Sequence, residues 1–559
     1  MTTMAPSPDQ TDWILGVALV LLTGVLFFPF LDTYYDYGFE PDLYLDVIRA
    51  YSHFFGTGSP AKFTPFALAP PYLDGQYSVY AAAARGVGRL AALGWLPSVL
   101  PGPYSHIHYA IRHVNLAFRA GASMFAYLFL KDLSKNRAVA SLLALIVILN
   151  PVLVDIDLIR QDHFFLLPMF STLYFSLRIL RGDIRPRTLS ALGLSGGVAL
   201  SSKLSGISMA GAALVALLMQ RSRLARADWW WAGLSAGSIF ILLDLRILFT
   251  IKTFPHDLWL KVAHLGAWNR YVGPRPYLQY HWNDLLRYGW LFPTLALVAV
   301  VIVSIEAWLT RERIGTYLGL IFIFFSVLLI PAYKYPRGGY LLLPVYLGFI
   351  AFCLPIVVAR IRAGCRWSRS VTTAVFASLL LFPIAKGWTN YENLEALMER
   401  RPKSIFITRV LPRRWLDQHA RPGTRLAVSR DLSYAMPPIW DLGFPLVDGF
   451  FPFAALQGRA LLSALPPTIE DLRRTVDVVV SSDELERGMA AQFRGPGLEE
   501  QGRSWARFFS DLRQRYLSIS FRAETRNYYV ERVTLYIVRP ESLRFLPTRS
   551  VSFGTDPAF

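Results

Sequence analysis

The sequence predicts a polytopic, mainly α-helical membrane protein that ends in a small α/β domain outside the membrane. Three observations predict it. Long runs nearly free of charge recur over most of the chain, and Lys and Arg alternate between successive connections. The tail then switches to balanced charge and short β-branched runs.

Of the 559 residues, 53% are hydrophobic and only 17% charged, where a soluble protein carries about a quarter. The apolar runs are Trp13–Leu31, Ala138–Val154, His163–Leu180, Ser205–Gln220, Trp229–Leu243, Trp290–Leu309, Tyr317–Ile330, Tyr340–Ala359 and Val371–Ile384. Most approach the roughly 20 residues that cross about 30 Å of hydrocarbon. Ala110–Leu130, with its Arg112 and Arg119, and Thr188–Ser201 fill the gaps. The expectation is about eleven transmembrane helices. Met1–Asp12 holds no Lys or Arg, so it lacks the basic segment of a secretory signal, and Trp13–Leu31 reads as a retained span. Cys353 and Cys365, one in a predicted span and one in the connection after it, supply neither a disulfide frame nor a metal site.

The net charge of +18 is mostly a topology signal. Lys131–Arg137 holds three Lys and Arg, Arg178–Arg187 four, Gln220–Asp228 three, Leu309–Ile314 two and Ala359–Ser370 four. The alternate connections Asp155–Asp162, Ser201–Ser205 and Ala332–Gly338 hold one, one and two. Short loops rich in Lys and Arg stay cytoplasmic, which puts the amino terminus inside and excludes nucleic acid as the reason for the charge. The predicted division is a transmembrane catalytic domain over 1–389, with a long first outer loop at 32–109, and a periplasmic α/β domain over 390–559. The first loop carries helical spacing at Leu43–Phe55 and Gln76–Leu93, which predicts two helices on the membrane surface. The tail from Asn390 has 24 basic and 20 acidic residues. Strand-like runs at Arg425–Val428, Val476–Val480 and Val533–Val538 alternate there with helical stretches at Pro467–Arg474 and Gly502–Tyr516.

With that topology, the ionisable residues of the outer turns fall on one face of the membrane. They are Asp42 before the first surface helix, Arg160 and Asp162 in DIDLIRQDHF, Lys203 in SSKLSG, and Lys334, Arg337 and Tyr340 in AYKYPRGGYLLLP. Such groups at span ends mark a substrate path. Arg grips phosphate with paired hydrogen bonds and Lys acts as a compact charge, so the cations suit an anionic lipid head group. An acid facing them suits a general base for an incoming hydroxyl. The same residues also have plainer roles: Asp42 as a helix cap, Lys203 and Lys334 as interfacial anchors.

The segments FEPDLYLDVIRA and APPYLDGQYSVY, then LIRQDHFFLLPMFSTLYFSLRIL, SSKLSGISM and KYPRGGYLLLPVY, in that order and spacing, resemble the type C (GT-C) membrane glycosyltransferase superfamily. The likeness is to its protein O-mannosyltransferase and aminoarabinose-transferase branch. The resemblance implies a polyprenyl-phosphate-linked sugar as donor and transfer with inversion to a hydroxyl-bearing acceptor, whether glycan, lipid or protein, at the periplasmic face of a bacterial inner membrane. It implies Asp42 as the base, with Asp36 its rival and Glu40 third; the family's aspartate is usually followed by Glu, whereas here Leu43 follows. By the same resemblance Lys203 and Arg337 bind the donor phosphate, with Lys334, Arg160 and Tyr340 beside it, and Asp162 and Glu40 orient sugar or acceptor. No metal is required on this reading. The pair Asp155 and Asp157, which resembles the acidic pair of oligosaccharyltransferases, is the weak candidate for a divalent ion. A flippase or transporter, and a polymer ligase using a diphosphate-linked glycan, are the alternatives.

Overall fold

The computed structural model describes residues 8–31, 76–94, 105–150, 161–202, 206–243, 281–332, 342–364, 369–405, 408, 411–428, 466, 468–483, 486, 499–527, 530–545 and 550–553. These form two compact units, a helical one that ends at Leu394 and a carboxy-terminal one from Glu395.

In the helical unit each predicted span has its helix. They are α1 (Gln10–Phe27), α3 (Ser105–Ser134), α4 (Arg137–Ile148), α5 (Gln161–Leu180), α6 (Pro186–Ser202), α7 (Ile207–Met219), α8 (Arg226–Leu243), α9 (Leu291–Thr310), α10 (Arg313–Ala332), α11 (Leu343–Gly364) and α12 (Arg369–Ile405), preceded in part by α2 (Gln76–Ala92). Among the described residues, five stretches are long and apolar enough to cross a membrane: Gln10–Phe27, His163–Leu180, Leu291–Thr310, Leu343–Ile361 and Ser370–Asn393. Burial sorts them: His163–Leu180 is 89% buried and central, whereas Ser370–Asn393 is 22% buried and peripheral. On α1 the exposed side chains include Ile14, Val17, Leu21 and Val25 at helical spacing, so that face suits lipid.

Packing inside the unit depends on small residues. Gly193 and Gly197 lie one turn apart on α6, and a Cβ on either would meet the α8 backbone at Ala232 O, 2.2 Å away, or Ala236 O, 2.6 Å away. Only glycine admits that approach, the usual device where helices gain nothing from the hydrophobic effect. Gln76–Leu93 is helical as expected, but its stripe of Tyr80, Ala81 and Ala84 is fully buried within the unit, and Ser78 donates to Leu243 O at 2.9 Å. The segment Leu43–Phe55 lies outside the described residues.

One end of the helical unit is stitched by ion pairs. Asp12 accepts from Lys131 at 2.6 Å and Arg137 at 2.9 Å, joining the starts of α1 and α4 to the end of α3. Asp132 faces Arg181 at 3.4 Å, and Asp183 takes Arg178 at 2.7 Å and Arg185 at 2.6 Å. Gln220 donates to Leu180 O at 2.6 Å and accepts from Arg313 at 3.3 Å; Arg360 meets Glu306 at 2.7 Å. These are the connections rich in Lys and Arg, the end that the charge rule expects inside.

The carboxy-terminal unit holds one mixed sheet of β1 (Leu426–Val428), β2 (Val478–Ser482), β3 (Leu517–Asn527), β4 (Val530–Ile537) and β5 (Val551–Phe553), in the order β1-β2-β4-β3-β5. The outer pairs β1·β2 and β3·β5 are parallel and the inner ones antiparallel. Strand β2 is buried at every position, which is why its sequence is a continuous β-branched run rather than an alternating one. Leu426, Val478, Val480, Ile519, Phe521, Val533, Leu535 and Ile537 build one core with Leu416 of α13 (Leu411–His419). Helices α14 (Ile469–Thr475) and α15 (Glu499–Arg515) match the two helical stretches read from sequence. Strands β3 and β5 were not expected. Leu517, Ile519, Phe521 and Ala523 nevertheless alternate with Ser518, Ser520 and Arg522, the period-two signal of a half-buried strand. Asp477 ties the sheet's start, accepting from the Arg425 amide at 2.8 Å and its guanidinium at 3.1 Å.

Burial raises the Asp183 pKa, but the bonds from Arg185 and Arg178 outweigh it and hold the carboxyl well below its ordinary range. A depressed carboxylate contributes stability that is present above the ordinary pKa and is lost as pH falls below it. Asp183→Ala leaves Arg178, itself buried, without that charge, and is expected to cost about 3 kcal/mol. Thermal unfolding in detergent checks this: a melting temperature equal to wild type at neutral pH would refute the pairing.

Candidate active site

The opposite end of the helical unit is where the residues expected to do chemistry leave the helices. Segments 32–75, 151–160, 203–205 and 333–341 lie between described helix ends there. Asp36, Glu40, Asp42, Asp155, Asp157, Arg160, Lys203, Lys334, Arg337 and Tyr340 all lie outside the described residues. Asp162 falls in the first turn of α5, described by its backbone. What can be built residue by residue is the frame around them.

Helix α3 supplies the centre of that frame. Arg112, Asn115 and Arg119 follow at i, i+3 and i+7, so they share one helix face. Arg112 is fully buried and donates to Leu31 O at 2.9 Å, just past α1. Arg119 is 3% exposed, donates to Ile148 O at 2.7 Å and lies 3.4 Å from His163 Nδ1. Its guanidinium sits 3.6 Å from the centroid of the Phe27 ring, a cation–π contact in a desolvated place. Both accepting carbonyls are at helix carboxy termini, where the last carbonyls have no intrahelical partner and the helix dipole favours a cation. Tyr80 of α2 hydrogen-bonds Asn115 and packs edge-on against Phe164.

A second group closes the frame from later helices. Tyr391 of α12 donates to Leu26 O at 2.6 Å and meets Phe27 edge-on. Asn390 donates to Arg287 O at 3.3 Å. His281 lies 2.8 Å from the Tyr346 hydroxyl of α11, and burial brings its pKa down to about 4, so the ring is neutral near neutral pH. The ends of α1, α4 and α8, the starts of α5 and α11, and the tail of α12 are thus bonded into one layer with α2 and α3.

From sequence alone Arg112 and Arg119 read only as charges within a short span, and Tyr80, Asn115 and His163 do not stand out. The signal was present: an Arg inside an apolar run needs a partner at depth, and two of them seven apart imply one face. Among the described residues no group of three His, Cys, Asp or Glu gathers to hold a metal; Asp155 and Asp157 lie outside them.

Two predictions follow from this frame. Tyr391→Phe keeps the ring against Phe27 and removes only the donor to Leu26 O. It is expected to lower stability by about 1–3 kcal/mol, read as a lower melting temperature in detergent; an unchanged value would show that water replaces the hydroxyl at no cost. For His281 the unfolded ring titrates near pH 6.5 and the folded one near 4. Its contribution is complete above the upper value and disappears as pH falls through the lower one. Stability is expected to decline less steeply over that interval in His281→Gln than in wild type, and parallel declines would remove His281 as the cause.

Residues 106–243, from α3 to the end of α8, match the family model described as dolichyl-phosphate-mannose-protein mannosyltransferase. No curated protein matches the chain. Among solved structures, the chain is similar to ArnT from Cupriavidus metallidurans in the apo state, with 14% identity, 87% of this chain and 95% of that one covered, and a TM-score of 0.50. It is also similar to the apo oligosaccharyltransferase of Archaeoglobus fulgidus, with 12% identity, 92% and 73% covered, and a TM-score of 0.52. At those identities the likeness is one of fold. The chain is thus similar to dolichyl-phosphate-mannose-protein mannosyltransferases over the helices that frame the site, and it is similar in fold to ArnT and to the archaeal oligosaccharyltransferase.

Proposed function

We propose that the protein moves a sugar from a polyprenyl-phosphate donor to a hydroxyl acceptor, with inversion, at the periplasmic face of a bacterial inner membrane. The observation that carries the reading is the match of 106–243 to a family whose description names a lipid-phosphate sugar as donor. Two features of the sequence support it: the scarcity of Lys and Arg in the outer turns apart from Arg160, Lys203, Lys334 and Arg337, and the acid-rich first outer loop.

In the proposed mechanism the donor phosphate lies among Lys203, Arg337 and Lys334, with Arg160 and Tyr340 beside it. The acceptor oxygen attacks the anomeric carbon on the side opposite the phosphate. Its proton passes to the carboxylate of Asp42, and the bond from carbon to phosphate oxygen breaks with its electron pair leaving on the phosphate. Positive charge develops on the ring in such a displacement, as in glycoside hydrolysis. Negative charge grows on the departing oxygen, and cations fixed there favour the transition state over the ground state. Asp36 is the second choice of base, and Glu40 and Asp162 orient sugar or acceptor. The domain from about Asn390 is periplasmic on this reading, by the alternation of Lys and Arg among the connections. A flippase reading loses ground on charge placement: transporters carry their sites near the midplane, between paired halves.

The test is reconstitution of the purified chain with a panel of polyprenyl-phosphate sugars and acceptors, following release of free polyprenyl phosphate. Asp42→Asn is expected to reduce turnover by about 100-fold or more, and Lys203→Ala by about 100- to 1,000-fold, with unfolding temperatures unchanged. Full activity in Asp42→Asn with none in Asp36→Asn would move the base. No release from any such donor, alongside transport of the intact lipid, would establish the flippase instead.

A further inference from the structure

Tyr288 stands in the turn between the short helix 281–286 and α9, and only 2% of it is exposed. The turn is fixed at several points. Tyr288 N donates to Leu285 O at 3.2 Å and Gly289 N to Leu286 O at 2.8 Å, and Asn390 of α12 donates to Arg287 O at 3.3 Å. The Tyr288 ring packs on Phe292, with centroids 4.7 Å apart. Backbone and ring are both held, and the hydroxyl is kept inside the unit.

That hydroxyl has no hydrogen-bond partner among the described residues. Other buried polar groups of the unit have a complementary neighbour: Asp132 has Arg181 at 3.4 Å, and Tyr317 has Ser176. The charges that act on Tyr288 are Asp284, Arg287 and, from α3, Arg119. Burial, then Asp284, raise its pKa well above the ordinary value, against the pull of Arg287 and Arg119. The hydroxyl therefore keeps its proton and is a hydrogen-bond donor.

An unmatched hydroxyl away from water costs free energy that a phenylalanine in the same place would not, and native proteins leave few such groups. A cost of this kind persists where function needs the group. Tyr288 is placed for function, since Arg119 belongs to the layer at the outer end, where it also meets Ile148 O, His163 and Phe27.

We propose that Tyr288 is a further binding residue of the candidate active site, its hydroxyl held to donate a hydrogen bond to one oxygen of the donor's sugar-phosphate head group. The inference rests on the donor reading of the proposed function. A donor hydroxyl takes an acceptor, and the head group offers two kinds, the phosphate oxygens and the oxygens of the sugar.

Tyr288→Phe removes the hydroxyl and keeps the ring. In the full chain in detergent, without donor, it is expected to melt at a higher temperature than wild type, the opposite of Tyr391→Phe, whose hydroxyl has a partner. With a donor that wild type turns over, kcat/KM for that donor is expected to fall about 10- to 100-fold, with the acceptor KM unchanged. The rise in melting temperature that the donor gives wild type should shrink in the variant. Polyprenyl phosphate without sugar is the second probe: a shrunken rise with it as well puts the contact on phosphate, and one confined to the sugar-bearing donor puts it on the sugar. An equal or lower melting temperature of donor-free Tyr288→Phe overturns the proposal, because the hydroxyl is then already satisfied by water or protein. So do donor kinetics and donor-induced stabilisation equal to wild type. A wild type that neither turns over nor is stabilised by any polyprenyl-phosphate sugar overturns the donor reading and this inference together, whereas an active wild type matched by Tyr288→Phe overturns this inference alone.

Discussion

Carbonyl groups at the end of a membrane helix have no partner within that helix, and the helical unit is organised around supplying one from a neighbour. Leu26 O takes Tyr391, Leu31 O takes Arg112, Ile148 O takes Arg119, Leu180 O takes Gln220 and Leu243 O takes Ser78. In hydrocarbon an unmatched carbonyl costs several kcal/mol and no water is at hand to lower it. Each of these bonds joins a helix end to a side chain on or just past another helix, so satisfying the backbone also fixes where the ends stand. The two arginines of α3 show the economy of this arrangement: one face of one helix caps both α1 and α4.

The two ends meet the same constraint with different chemistry. At the inner end, acids and bases are matched in clusters around Asp12, Asp132 and Asp183, and the cost of holding several cations together is offset by carboxylates in contact. At the outer end the bonds given by Arg112 and Arg119 go to carbonyl dipoles and, for Arg119, to an aromatic face. Carbonyl and ring acceptors hold a guanidinium in a desolvated place and fix the helix ends that it joins.

The helical plan was legible because lipid removes ambiguity: a run such as His163–Leu180 has no alternative to a helix, and loop charge supplies direction. The parts that were not legible depend on contacts between segments remote in sequence. Tyr80 reads as one residue of a surface stripe until Asn115 and Phe164 are placed beside it. Arg119 reads as a flaw in a short span until Ile148, His163 and Phe27 surround it. In the carboxy-terminal unit β2 announced itself through Val478, Val479 and Val480, whereas β3 carries Arg522, Glu524 and Arg526 on a strand, and its charge disguised it. The candidate catalytic residues were legible only as charges on one face, since their roles rest on distances among turns that no local pattern encodes.

Length of connection gives one more reason for the division of labour proposed among those turns. Electrostatic stabilisation requires groups fixed before the reaction, held within about 0.5 Å of their working position. Residues 151–160 and 203–205 are short connections, and closing a short loop between fixed stems costs less entropy than closing a long one. In sequence Arg160 immediately precedes α5, whose His163 is beside Arg119; Lys203 follows the last residue of α6 in sequence. On the proposed reading, these cations for the departing phosphate come from short connections. The base needs a different property, since it must meet an acceptor that arrives from outside. Asp42 and its rivals stand in the long segment after Leu31, whose stem is held by Arg112. The proposed reading thus gives the donor side to short connections beside bonded stems, and the acceptor side to the long segment after Leu31.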